Sequence, residues 1–219
     1  MNNILPKGFF YEKVDSTMDE ARRLLKSGQI EDTAFVVANC QTSGRGTRGK
    51  IWSSPEKAGI YLSLVHLPKE KKFLETTTLY TLACGVACVE AIKEITNIQT
   101  SLKPVNDIYA NGKKLGGILV ESELYKEGIS SLITGVGINV NKTFHNLEKT
   151  EVLPVSLEEL MGSYEFKKLE NKKLIEKIVL KICFWYDLVF NGCENKIINA
   201  CDSYNIGKLN KTDISSIKS

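Results

Sequence analysis

Between Gln41 and Trp52 the chain reads QTSGRGTRGKIW. Arg45, Arg48 and Lys50 sit among Gly44, Gly46 and Gly49, and no acidic residue lies between Asp32 and Glu56. Glycines let backbone N–H groups approach a ligand, and an arginine fork matches a phosphate or a carboxylate. Such a loop suits an anionic substrate that is covered once bound. The same composition also describes an exposed basic surface loop, or an RGG-like RNA contact, although it lacks the interleaved aromatics of a stacking surface. The pattern G-x-x-x-x-G-K-[ST] cannot be matched here, so this is not a P-loop.

Two further stretches carry chemistry. In LKPVNDIYANGKKLGGILVES, Lys103, Asn106 and Asp107 precede a strand, where a turn could present them. An Asn-Asp pair can hold a hydroxyl or a metal-bound phosphate, and equally serves as plain turn chemistry. Lys114 stands just before Gly116 and Gly117. Paired glycines weaken a strand, so a ligand or another backbone is expected to come close. A lysine aimed into such a gap could offset developing negative charge; on an exposed edge it would instead discourage aggregation. The third stretch, TGVGINVN, alternates small residues with Val, Ile and Asn, as in a central strand whose face abuts something tightly. Asn139 and Asn141 share a face there and could read a base or a phosphate.

The elements that must position these residues follow from periodicity. A strand is predicted over 9–14, then a helix opening at Thr17 with Glu20 in a capping-box pattern. Met18, Ala21, Leu24 and Leu25 fall on one face of that helix, and Gly28 ends it. Strands are predicted over 34–40 and 59–67, and a long helix over 74–95 with an apolar stripe. Asn111-Gly112 marks a two-residue hairpin, and a second hairpin through Lys126-Glu127-Gly128 leads to a strand over 129–140. After an irregular stretch, helices are predicted over 156–161, 169–190 and 194–204, with a frayed polar tail. Consecutive hairpins build an antiparallel sheet rather than alternating β-α-β units. The class is therefore α+β, with a mixed, largely antiparallel sheet and helices packed on one face.

The chain has 219 residues, 42% apolar and 25% charged, with 29 cationic against 26 anionic side chains for a net +3. That is enough for one mid-sized domain and excludes a disordered chain or a secreted mini-protein. Its charge is too mild for a nucleic-acid-coating protein. None of the six cysteines forms a C-x-x-C pair, and His66 and His145 are the two histidines, so neither a zinc ribbon nor a redox motif is expected. The start, MNNILPKGFF, is not a signal peptide, and no apolar run approaches the ~20 residues of a membrane span. A reduced, soluble, cytoplasmic protein is expected.

The ordered motifs resemble those of the biotin protein ligases (biotin–[acetyl-CoA-carboxylase] ligases). That family opens its catalytic domain with a strand and D-S-T, as at Asp15-Ser16-Thr17, and continues with Q-x-x-G-R-G-R-x-G-R-x-W, close to Gln41 through Trp52. K-W-P-N-D, K-x-x-G-I-L-x-E and G-x-G-I-N follow in order, and the likeness covers residues 9–141. The resemblance implies the family's biotin/lipoate ligase-like catalytic fold and a two-step reaction. Biotin's carboxylate attacks the α-phosphorus of Mg-ATP to give biotinyl-AMP, and a lysine of a biotin carboxyl carrier domain then takes the biotinyl group. It also implies roles. Ser16, Thr17, Met18, Gln41 and Gly44 would line the biotin pocket, and Arg45, Gly46 and Thr47 would fold over it. Lys114, with Arg45, would be catalytic, set against the carboxylate and α-phosphate beside Gly116 and Gly117. Arg48, Trp52, Lys103, Asn106, Asp107 and Asn139 would serve ATP, with Asp107 as the magnesium ligand.

The chain departs from the family in three places. Thr47 stands where many members have an arginine associated with retaining the adenylate, and Arg48 is placed to compensate. Pro104-Val105 replaces Trp-Pro. Too few residues follow Tyr204 for the SH3-like barrel that usually ends the family's chains. The expected organisation is a catalytic core over 1–165, helices over 166–205 completing the same domain, and a short tail over 206–219. No winged-helix segment precedes the first strand, so DNA binding is not expected; a homodimer is compatible. Lipoate protein ligase, with the same adenylate chemistry, and an inactive biotin-binding relic are the alternatives.

Overall fold

A computed structural model describes residues 4–68, 77–125, 128–142 and 152–205. The tail over 206–219, residues 74–76 of the long helix and the turn at Lys126-Glu127 lie outside them. The strands are β1 (Lys7–Val14), β2 (Ala34–Gln41), β3 (Gly59–His66), β4 (Ser101–Lys103), β5 (Asp107–Ala110), β6 (Lys113–Tyr125) and β7 (Gly128–Asn139). They form a sheet in the order β1-β2-β3-β7-β6-β5-β4. β1 and β2 run parallel, joined through helix α1 (Thr17–Lys26); the other neighbours are antiparallel. A parallel pair needs such a crossover, whereas the two-residue turn at Asn111-Gly112 closes β5 on β6. Both turn residues take left-handed φ, 51° and 73°. β4 is an element that the sequence did not announce; three residues are too few to show alternation.

Helices α2 (Thr77–Thr96), α4 (Asn171–Phe190) and α5 (Glu194–Tyr204) cover one face of the sheet, and α3 (Leu157–Phe166) joins the same apolar cluster. α1 lies on the opposite face. β2 shows the division, with Phe35 and Val37 in the α2 cluster and Ala34 and Val36 in a second cluster with Met18, Ala21 and Leu24 of α1. The expectation of helices on one face therefore holds for the larger layer, and α1 is the exception. Its opposite placement leaves room on the face it covers only in part.

α2 is buried nearly all round, from Leu79 to Ile92, instead of along a stripe. α4 and α5 cover its outer side, and a helix apolar on every side is stable only in that position. Tyr186 of α4 anchors the layer: its hydroxyl meets Thr134 Oγ1 of β7 at 2.7 Å, and its ring packs edge-on to Tyr80 at 4.9 Å. α3 opens with a full capping box between Ser156 and Glu159. The box expected at Thr17 and Glu20 is not made. The helix begins one residue earlier than that box requires: Ser16 holds the N-cap position without a side-chain cap bond, and the Thr17 hydroxyl is taken by tertiary partners. No described helix is long and apolar enough to cross a membrane.

Candidate active site

Three segments converge on the α1 face of the sheet: the start of α1, the 42–52 loop, and the facing parts of β6 and β7. Gln41, at the end of β2, joins the first two. Its Oε1 accepts from the Thr17 amide at 2.8 Å and the Thr17 hydroxyl at 3.1 Å, and its Nε2 donates to Ser54 Oγ at 2.7 Å. Thr17 Oγ1 also meets Ser63 Oγ at 2.8 Å, and Ser54 Oγ donates to the Trp52 carbonyl at 3.0 Å. Gly44 is obligatory here: a Cβ on it would lie 2.4 Å from the Trp52 carbonyl oxygen. Ser16, 1% exposed, keeps a buried hydroxyl without a hydrogen-bond partner among the described residues. An orphaned buried hydroxyl is costly unless something polar can reach it.

The glycines of β6 and β7 form a trough. A Cβ on Gly137 would come within 2.4 Å of Trp52 Cε2, and one on Gly117 within 3.0 Å of Trp52 Cζ3. The indole thus lies directly on the strand backbones. A Cβ on Gly135 would meet Met18 Sδ at 2.8 Å. The tight neighbour expected beside TGVGINVN is therefore Trp52 with Met18. Gly116 needs correcting as a ligand-facing position. Its vacant Cβ direction meets Ile138 Cδ1 at 2.7 Å and Ile108 Cδ1 at 3.4 Å, on the side of the larger core.

The reason is a β-bulge. Ile108 pairs with Gly116 but Tyr109 with Lys114, so β6 holds one extra residue. An extra residue breaks the alternation and re-aims what precedes it. Lys114 and Gly117 consequently point to the same face although they are three apart. Lys114 Nζ lies 5.6 Å from the Trp52 ring centre and 2.7 Å from Asp107 Oδ1. The main chain of Lys114 is clasped as well. Its N–H donates to the Leu153 carbonyl and its carbonyl accepts from Val155 N–H, both at 2.9 Å. Asn139 Nδ2 donates to the carbonyls of Val155 at 3.1 Å and Lys114 at 3.3 Å, which commits its side chain to holding that backbone.

Other expected residues are exposed or engaged with neighbours of their own. Lys103, exposed, places its ammonium over the Tyr109 ring at 5.5 Å, and Arg48 is exposed at the loop tip with φ 56°. Asn106 contributes its carbonyl to Ile118 N–H at 2.8 Å. Thr47 and Gly46 stay in the half-buried tip. Arg45 turns to acids: Nη1 lies 3.1 Å from Asp19 Oδ1 and Nη2 pairs with Glu121 Oε2. Asp19, Glu121, Ser54 and Ser63 were not singled out from sequence. A signal existed for Glu121, the glutamate of K-x-x-G-I-L-x-E; none marked the serines.

No group of three or more His, Cys, Asp or Glu side chains able to hold a metal occurs among the described residues. Asp107 is a single carboxylate already paired with Lys114. That donor set fits a magnesium ion carried on nucleotide phosphates, which commonly takes one or two protein carboxylates, and not a cage built by protein alone.

A cationic loop, a glycine-backed trough and a lysine re-aimed into it make a site whose charge and shape suit an anionic small molecule. The chain belongs to the biotin/lipoate A/B protein ligase family, whose model matches residues 10–139. It is 35% identical over 176 residues to the bifunctional ligase/repressor BirA of Bacillus subtilis, covering 80% of this chain and 51% of that protein. It is 33% identical over 136 residues to a biotin–[acetyl-CoA-carboxylase] ligase of Paracoccus denitrificans, covering 58% of this chain and 52% of the relative. The chain thus spans about half the length of these curated relatives. Among solved structures, the biotin protein ligase of Aquifex aeolicus in complex with biotin and ATP superposes with a TM-score of 0.74 at 31% identity, covering 91% of this chain and 78% of that one. The Leishmania major enzyme with biotinyl-5-AMP gives 0.75 at 26%, covering 95% and 85%.

Proposed function

We propose that this chain activates biotin with ATP as biotinyl-AMP and transfers it to a lysine of a biotin carboxyl carrier domain, in the cytoplasm, where its six free cysteines stay reduced. The observation that carries this is the β6 bulge, which puts the Lys114 ammonium on the face shared by the start of α1 and the loop. In the first step the biotin carboxylate oxygen attacks the α-phosphorus and the bond to pyrophosphate breaks. Lys114 offsets the negative charge gathering on the phosphoryl oxygens, and its contact with Asp107 fixes its position. In the second, a neutral lysine amine of the carrier attacks the acyl carbon and AMP leaves. Asp107 would be the protein carboxylate to hold a magnesium ion carried on ATP, and that ion would neutralise phosphate charge. Ser16 Oγ, buried and unpartnered, suits a polar atom of the biotin ring. Trp52 and the loop keep water from a hydrolysable adenylate.

Pyrophosphate–ATP exchange with biotin, lipoate or no acid tests this. Exchange with biotin alone is expected, followed by labelling of a carrier domain. Exchange with lipoate alone would transfer the chain to the lipoate branch, and none with either would reject catalysis.

A further inference from the structure

We propose that Asp19, Glu121 and Arg22 are positioning residues that hold the 42–51 loop over the site through the guanidinium of Arg45. This deepens the adenylating function proposed above and rests on it. Arg45 was expected to face the substrate; its fork instead spans two carboxylates, Asp19 of α1 and Glu121 of β6. Each of those oxygens is shared with Arg22, at 2.9 Å to Asp19 Oδ1 and 2.6 Å to Glu121 Oε2, and Arg22 Nε reaches Glu123 at 2.7 Å. Two arginines thus meet three carboxylates, and α1, β6 and the loop are tied at one point.

The loop has little else to hold its tip. At the root, Thr42 N–H donates to the Val14 carbonyl and Ser43 N–H to that of Asp15. Beyond them the backbone hydrogen bonds stay inside the loop: Gly46 N–H to Lys50, Lys50 N–H to Thr47, and Trp52 N–H to Gly44, all to carbonyls. Among the described residues, the ion pairs that leave the tip are those of Arg45. Arg22 matters because it is on α1 and only 20% exposed, which fixes both carboxylates before Arg45 arrives. With Arg45 so engaged, Arg48, Lys50 and Lys114 remain to meet the substrate's anionic groups. The arrangement sets where the loop rests and therefore how long an adenylate is retained beneath it.

Native-state trypsin cleavage, with new termini at Gly46, Gly49 and Ile51 read by mass spectrometry, tests the latch without any substrate. The combined variant Asp19→Asn/Glu121→Gln keeps the side-chain shapes and removes the charges. Its loop is expected to be cut ~10-fold faster than the parent's, the scale of two partly exposed ion pairs lost together. Lys177→Gln, which breaks a remote pair with Glu94 on the helical layer, should be cut at the parental rate. In the parent, 1 M NaCl should speed loop cutting relative to a control peptide. Preformed biotinyl-AMP should leave the double variant several-fold faster at an unchanged melting temperature. Equal loop cutting in parent and double variant, or parental cutting indifferent to salt, would overturn the latch. Should the double variant unfold, the salt response of the parent decides. Failure of exchange in the parent with salt-sensitive loop cutting would reject the activity and leave the latch standing.

Discussion

Lys114 and Asp15 are two charged groups with different assignments. Lys114 is half-buried beside Asp107 and Trp52, and no second ammonium among the described contacts duplicates it. Lys114→Ala is expected to lower biotin-dependent pyrophosphate exchange by ~10²-fold or more, as loss of one preorganised charge donor does elsewhere. Melting should barely change; a variant exchanging at the parental rate would remove Lys114 from the chemistry. Asp15, next to Ser16, has its carboxyl held down to about 2 by hydrogen bonds from the Arg23 guanidinium, with a smaller contribution from the Ser16 amide. The folded state therefore binds this proton less tightly than the unfolded chain, whose Asp titrates near ~4. The stabilisation is complete above about pH 4 and is lost as pH falls through about 2. Arg23→Gln should return the carboxyl toward its ordinary range in a carboxyl-carbon NMR titration. A midpoint still near 2 would assign the shift to Ser16 alone.

At the scale of elements, the site depends on strands giving up side chains so that another residue can lie on them. Gly137→Ala would place a methyl group 2.4 Å from Trp52 Cε2, so the indole must leave the trough. Overpacking of this kind costs ~1–3 kcal/mol, or a melting point lower by ~2–10 °C. In a Trp185→Phe background, which leaves Trp52 as the single tryptophan, its emission should shift to the red. An unshifted spectrum would mean that the ring does not rest there. Much of this was legible beforehand, because glycines recurring in TGVGINVN and LGGILVES cannot be there for packing of their own side chains. The β6 bulge was not legible. Strict alternation would have set Gly116 on the ligand side, and only the pairing with β5 shows which residue is extra.

The whole molecule is a sheet clamped between unequal layers, and the thicker one bears on stability. Tyr186 and Thr134 are fully buried and satisfy each other across the interface of α4 with β7. Burial raises the Tyr186 phenol well above its ordinary range, so it stays neutral and hydrogen-bonding at any working pH. Tyr186→Phe would strand the Thr134 hydroxyl and is expected to cost ~1–3 kcal/mol in urea unfolding, with exchange activity retained. Loss of exchange at full stability would instead connect this layer directly to the site.

Sequence alone determined the order of the elements other than β4, the α+β class and the cationic glycine loop, because each is written in local periodicity, turn residues and composition. It also carried the family likeness, through motifs whose order needs no coordinates. Tertiary structure decided the rest. The Thr17 hydroxyl bonds Gln41 and Ser63, which the fold brings within reach, and Asn139 binds backbone because Val155 passes beside it. Arg45 turns to Asp19 and Glu121, which are 26 residues before it and 76 after. Polar side chains take the best partner in space, and that partner is set by which strands lie side by side, a property of the folded chain and not of any short stretch within it.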